Sequence, residues 1–157
     1  MQEKAMMGDA LAAGLTMNTA GCVDVGAPRF HYALECRDAG GNLKWADEFD
    51  NLVTTAGKTD LVNKYFKGSA YTAAWYLGLK GAGTAAAGDT LASHACWAEV
   101  TSYAGNRPAI TFGTTSGGSN TATTASYSIT GSATVAGAFI ASANTVPSGL
   151  LYSAGDF

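Results

Sequence analysis

Residues 29–37 read Arg29-Phe30-His31-Tyr32-Ala33-Leu34-Glu35-Cys36-Arg37. Phe30, Tyr32, Leu34 and Cys36 alternate with Arg29, His31, Ala33, Glu35 and Arg37. This period of two places one set on a core and the other in solvent, which is a half-buried strand. Asp38-Ala39-Gly40-Gly41-Asn42 follows as a turn, because Gly and Asn accept positive φ at little cost. Leu43-Lys44-Trp45 then returns as a second strand and closes a hairpin. The same alternation recurs at Tyr71, Ala73, Trp75, Leu77 and Leu79. Their partners Thr72, Ala74, Tyr76 and Gly78 are also uncharged, so this strand is expected to be central and covered on both sides.

Between these strands, 57–66 reads as a short helix. Leu61, Val62, Tyr65 and Phe66 fall on one helical face, with Thr59 or a residue before it as cap and Gly68 as terminator. A second short helix is expected from Asp89 or Thr90 to about Trp97, with Leu91, His94 and Ala95 turned inward. From Pro108 onward, further strands are expected at 109–114, 125–130, 133–142 and 150–153, separated by Gly/Ser/Thr loops. Short strands at close spacing imply a mainly β domain, a β-sandwich or jelly-roll-like fold with one or two short helices in its connections. The expected division is an extended N-terminal arm at 1–28 and a β-rich domain at 29–157. The arm reads as an arm rather than a processed signal. Glu3 offsets Lys4, Asp9 interrupts the apolar stretch, and Thr19 precedes Ala20-Gly21-Cys22 where an aliphatic residue is usual.

The chain has 157 residues, enough for one domain with a real core. Charged residues are only 13% of it, against about 25% in an ordinary soluble domain. A surface so poor in charge suits a protein packed against neighbours. The net charge is −3 and Lys/Arg residues form no stripe, so phosphate-led nucleic-acid binding is set aside. No apolar run reaches the ~20 residues of a membrane-spanning helix.

Several groups of residues carry candidate chemistry. His94 and Cys96 stand two apart, a spacing that does not face two side chains toward each other on a helix, and no third group orients a base. No catalytic set is expected. Asp47, Glu48 and Asp50 form an acidic trio that matches no cation loop and reads as a solvated loop. Cys22, Cys36 and Cys96 are too scattered for a metal site, and neither a metal nor another cofactor is expected. The three thiols either act as small buried hydrophobes or include an intersubunit disulfide. The odd count and the positions of Cys22 and Cys96 make those two the better candidates for a bridge, ahead of Cys36. Trp45, Trp75, Tyr71, Tyr76 and Trp97 form a conceivable sugar-stacking platform, although aromatics in hairpins and helices usually belong to cores.

The stretch from about Leu34 to Phe157 resembles a family of small structural proteins of tailed phages and prophages. The resemblance is carried by Gly41-Asn42-Leu43-Lys44-Trp45 with Asn51-Leu52-Val53-Thr54, and by Gly57-Lys58-Thr59-Asp60-Leu61 leading to Lys64-Tyr65-Phe66. Its most specific piece is Gly68-Ser69-Ala70-Tyr71-Thr72-Ala73-Ala74-Trp75-Tyr76-Leu77-Gly78-Leu79. Further pieces are Ala87-Gly88-Asp89-Thr90-Leu91-Ala92-Ser93-His94 with Trp97, Arg107-Pro108, Gly137-Ala138-Phe139, and Leu151-Tyr152-Ser153-Ala154-Gly155. Cys96 departs from the family, which tends to have Gly there. The resemblance implies a virion component that is no enzyme, with head decoration or cement as the expected role. The expected partners are the major capsid protein and further copies of the chain, as dimer or trimer, and neither nucleic acid nor membrane. Met6, Met7, Leu11 and Leu15 in the arm are the expected capsid or partner contacts, with the loops 81–88 and 116–124. A tail, collar or fibre component and a receptor- or glycan-binding module are the alternatives.

Overall fold

The computed structural model describes residues 28–116 and 119–157. The protein is mainly β and antiparallel, as expected. Strands β1 (His31–Arg37) and β2 (Leu43–Asp50) form a hairpin, and β3 (Leu52–Val53) leads into helix α1 (Thr55–Tyr65). Then follow β4 (Trp75–Lys80), β5 (Glu99–Val100), β6 (Ala109–Ile110), β7 (Gly137–Ala141) and β8 (Leu151–Asp156). The main sheet runs β3-β8-β7-β4-β5, and β6 shares the outer edge of β4 with β5. The central β7 is buried along its whole length, which is what a strand covered on both faces requires.

One face of this sheet receives the hairpin. Tyr32 and Phe49 project from it, stack at 5.1 Å and join Val53, Ile110, Ala138, Ile140 and Tyr152 in one apolar cluster. A register shift between Ile140 and Ala141 leaves Tyr152 as the extra residue opposite β7, and such a bulge re-aims side chains. Tyr152 meets the ring of Phe30 edge-on at 5.9 Å. The neighbouring Ser153 Oγ bonds Tyr32 Oη at 2.7 Å inside the core. Burial raises the Tyr32 pKa far above its ordinary 10.0, so this hydroxyl keeps its proton.

The other face is covered by irregular chain. Leu91 and Trp97 pack there on Phe139, Ala141, Leu151 and Ala154. The helix expected at 89–97 does not form; Thr90 and Ser93 instead bridge across a tight turn. The Asp89 carboxylate is taken by the Ala86 amide and by Trp97 Nε1, both at 2.8 Å. These tertiary bonds replace the helical cap. Leu91 does turn inward as expected, whereas Ala95 is exposed and His94 half-buried.

Lys80 holds this loop to the sheet. Its side chain is wholly buried, 2.5 Å from Asp156, and its ammonium donates to the carbonyls of Gly81 and Gly83. It also sits 5.5 Å from the Trp97 ring centre, where the negative ring face attracts a cation. Trp97 packs on Phe139 at 5.5 Å, and the Arg107 guanidinium lies 5.3 Å over Phe139. Arg107 binds both Glu99 oxygens at 2.7 and 2.6 Å. It also donates to the carbonyls of Ala143, Thr145 and Ser148. A buried cation, two aromatic rings and a second buried cation therefore form one column.

Other boundaries moved. The strand expected at 71–79 begins only at Trp75. Those expected at 109–114 and 125–130 shrink to β6 and to single bridges at Phe112–Ala122 and Tyr103–Ile129. These segments are rich in Thr, Ser and Ala, which bury too little to fix a longer ladder. Tyr127 is the exception, anchored by its hydroxyl on the Leu77 carbonyl at 2.8 Å. The acidic trio belongs to β2 rather than to a loop.

Two substitutions test the layers. A Cβ at Gly78 would lie 2.1 Å from the Phe139 ring, so Gly78→Ala is expected to cost about 1–3 kcal/mol by overpacking. Phe139→Leu in the same chain should recover part of that loss in urea unfolding. Lys80→Met should cost about 3 kcal/mol, the low end for breaking a buried pair, because Asp156 keeps some of its water. Adding Asp156→Asn should restore part of it, and an unchanged midpoint in Lys80→Met would refute the role given to Lys80.

Candidate interaction surface

The helix α1 decides which surface the protein leaves open. Thr54 caps it: its hydroxyl oxygen accepts from the Gly57 amide at 3.0 Å and donates to the Leu151 carbonyl at 2.5 Å. Cap and sheet are thus tied by one buried side chain. Gly57 then lies against β8 so closely that a Cβ would stand 2.3 Å from the Tyr152 carbonyl oxygen. The helix meets the sheet through Gly57, with Leu61 half-buried beside it.

This contact leaves most of the apolar face outward: beside the half-buried Leu61, Val62, Tyr65 and Phe66 are 40%, 78% and 65% exposed. The chain after the helix folds back over its last turn: Ser69 N donates to Asn63 O at 3.0 Å, and Lys64 Nζ to Ala70 O at 2.7 Å. That return sets Tyr71 beside Lys64, 5.9 Å from ammonium to ring centre, and leaves Tyr71 53% exposed. Tyr65 and Phe66 meet edge to face at 4.9 Å. Lys58, Asp60, Lys64 and Lys67 carry the charge on this part of the chain, and Lys64 lies 4.0 Å from Asp60. Large exposed apolar groups gathered on one element mark an interaction surface.

A concave region lies beside Leu91 and Trp97. It is a cleft of about 530 Å³ lined by His94, Trp97, Glu99, Thr101, Val146 and Pro147 among others. His94 stacks on Trp97 at 4.0 Å and its Nδ1 contacts the Trp97 carbonyl at 2.8 Å. Glu99 is clamped by Arg107. The polar groups of this cleft are thus engaged in holding the fold.

The outer face of the hairpin carries an ionic ladder. Arg29 pairs with Asp50 at 2.6 Å, and His31 lies 3.2 Å from Asp50 and 3.3 Å from Glu48. Hydrogen bonds to Asp50 and then Glu48 raise the His31 pKa above its ordinary 6.5. Those from Arg29 and His31 hold Asp50 below its ordinary 3.8. These side chains are open to water, so the ladder sets register more than stability.

Of the expected site residues, Cys22 and the arm contacts Met6, Met7, Leu11 and Leu15 lie outside the described residues. Cys36 is half-buried on the core side of β1, in line with its place in the alternation. Cys96 is exposed rather than a buried hydrophobe, and both are free thiols. The aromatic platform does not assemble. Trp97 is buried, Trp45 packs at a tilt against Phe157 at 5.7 Å, and Trp75 packs on Tyr152 at 5.2 Å. Among the described residues, no three His, Cys, Asp or Glu side chains gather as a metal site. No described helix is long and apolar enough to cross a membrane. No family model, curated protein or solved structure matches this chain. The sequence reading missed Tyr65 and Phe66 as surface residues; the signal was Gly57, whose lack of a side chain marks the face of closest approach.

The ladder makes a pH prediction. A raised His31 pKa contributes stability that is complete below 6.5 and lost as pH rises through the folded value. A lowered Asp50 pKa contributes stability present above 3.8 and lost as pH falls through its folded value. The hairpin should be firmest between those limits. The His31 ring resonances should titrate above 6.5 and return toward it in Glu48→Gln and Asp50→Asn; a midpoint insensitive to both would remove the ladder.

Proposed function

We propose that this protein is a bacteriophage virion component that decorates and stabilises the capsid. The observation that carries the reading is the exposure of Val62, Tyr65 and Phe66 along one side of the last turns of α1, with Tyr71 exposed on the chain that follows, in a chain with only 13% charged residues. Aromatic side chains are enriched where protein partners bury surface. The resemblance of 34–157 to small phage structural proteins supplies the setting. The partners in this reading are the major capsid protein and further copies of the chain, with the arm residues Met6, Met7, Leu11 and Leu15 as added contacts.

The mechanism is burial repeated by symmetry. Each Å² of apolar surface removed from water contributes about 25 cal/mol. Lost rigid-body freedom and ordering of side chains offset much of it. A subunit held at several points on a closed shell gains from effective concentration, so modest contacts add up. Dimers or trimers across symmetry axes fit such a lattice. No step of this mechanism needs a catalytic group or a cofactor.

A glycan-binding module is the second reading, favoured by Tyr65 and Tyr71 standing in solvent. The two differ in stoichiometry. Quantitative mass spectrometry of purified virions is expected to give a ratio to the major capsid protein near one, or a simple fraction of it. A few copies per particle would move the protein to tail, collar or fibres. Absence from the particle, with saturable sugar binding lost in Tyr71→Ala, would replace the capsid reading by the glycan one.

A further inference from the structure

We infer that the exposed side of α1 at Lys58, Val62, Tyr65 and Phe66 docks on a second copy of the chain, against the patch that Trp45, Asp47 and Phe157 form on its hairpin. The inference rests on the reading of the helix side as an interaction surface and names the surface that receives it.

The docking side is a stripe along the helix. Lys58, Val62 and Phe66 recur every four residues, and Tyr65 follows Val62 by three, so they lie on one side. All four are exposed. A cation stands at one end of the stripe and an edge-to-face aromatic pair, 4.9 Å apart, at the other. Lys64 and Asp60 face each other at 4.0 Å. Among the described residues no ion pair engages Lys58, which leaves its ammonium for a partner.

The receiving patch lies on β2. Trp45, Asp47 and Phe49 stand opposite Cys36, Leu34 and Tyr32, so they share one face of the hairpin. Phe49 is buried, Trp45 half-buried and Asp47 exposed. The Phe157 ring lies 5.7 Å from that of Trp45 and 5.4 Å from that of Phe49, so it spans the strand at Asp47, and it is 41% exposed. One Asp47 oxygen accepts the Glu48 amide at 2.9 Å. The other hairpin carboxylates have their own partners. Asp50 and Glu48 face Arg29 and His31, Glu35 faces Arg37, and Asp38 accepts from Asn42 in the turn. Asp47 is the carboxylate left for a cation from outside.

Charge makes a second copy the fitting occupant. Residues 55–71 carry Lys58, Lys64 and Lys67 against Asp60, a net +2. Residues 29–50 carry Arg29, Arg37 and Lys44 against Glu35, Asp38, Asp47, Glu48 and Asp50, a net −2 with His31 neutral. Opposite potentials steer and register two surfaces. Spacing agrees with charge. Lys58 and Tyr65 stand about 10 Å apart along the helix, and Asp47 and Trp45 about 7 Å apart along the strand, a difference that a flexible lysine stem absorbs. Within one chain both surfaces stay exposed, so the contact joins copies. It is head-to-tail, and each added copy leaves one helix side and one hairpin patch open. Such contacts close as a ring or extend as a row.

The test uses the full chain. Sedimentation velocity from about 10 to about 300 µM, the range suited to a small interface, is expected to show species larger than a dimer. Tyr65→Ser/Phe66→Ser removes the aromatic end of the stripe, and Asp47→Lys sets like charges together. Each should weaken association about tenfold or more. Mixed together, the two variants should form a one-to-one complex and nothing larger, because the first keeps its hairpin patch and the second its helix side. Lys58→Asp added to Asp47→Lys in one chain should recover association. A native chain that stays monomeric throughout would overturn the inference. So would association unmoved by either variant, or two variants that fail to complement each other. The altered side chains are all exposed, so the fold should tolerate the changes, which circular dichroism can check. Capsid stoichiometry in virions with a monomeric free chain would sink the docking alone. Head-to-tail association of a protein absent from virions would sink the capsid reading alone.

Discussion

Two buried cations organise the protein. Lys80 and Arg107 stand at the ends of a column that includes Trp97 and Phe139. Irregular chain over a sheet leaves carbonyl oxygens without ladder partners, and burying them unpaired is costly. An ammonium offers three donors and a guanidinium five. Lys80 serves Gly81 and Gly83, and Arg107 serves Ala143, Thr145 and Ser148. Asp156 and Glu99 supply the opposite charge. The cations do on this face what a neighbouring strand does elsewhere, which is why loops can roof a sheet whose central strand is wholly buried.

Much of this was legible in the residues, and the failures have definite causes. The alternation at 29–37 correctly put Tyr32 inside. The strand ending at Lys80 is internal, as its two uncharged faces implied. The helix was found within two residues at its start and one at its end, because its apolar spacing and the neighbouring Gly68 are local signals. Its orientation was not given by that spacing. Apolar spacing reports which residues share a face but not which face the sheet takes, and here the close approach of Gly57 to Tyr152 decides it. The turn at 89–97 was mistaken for a helix because Asp89 is an ordinary cap residue; its carboxylate is committed to Trp97 and Ala86.

The buried cations left no sequence signal of their own. Lys80 closes a strand, where a lysine ordinarily reaches water, and Arg107 precedes a proline in a loop. Their burial depends on partners 76 and 8 residues away, Asp156 and Glu99. Pairings of that kind are set by topology. The surface reading fared similarly. Low charge says nothing of which apolar residues are exposed; that required the direction of the helix.

The hairpin has a mechanical consequence. His31 lies opposite Asp50, so the arm and the strand leading into the body leave the hairpin from the same end. Asn51 and Phe30 latch that end with reciprocal bonds of 3.0 and 3.1 Å. Tension between arm and body therefore loads the ladder one rung at a time, as a zipper opens, instead of shearing all rungs together. Once the latch and the Tyr32–Phe49 packing yield, the hairpin would feed out roughly 60 Å of chain while the sheet stayed folded. A pull on the chain ahead of Phe30 would then lengthen the protein before it loaded the sheet.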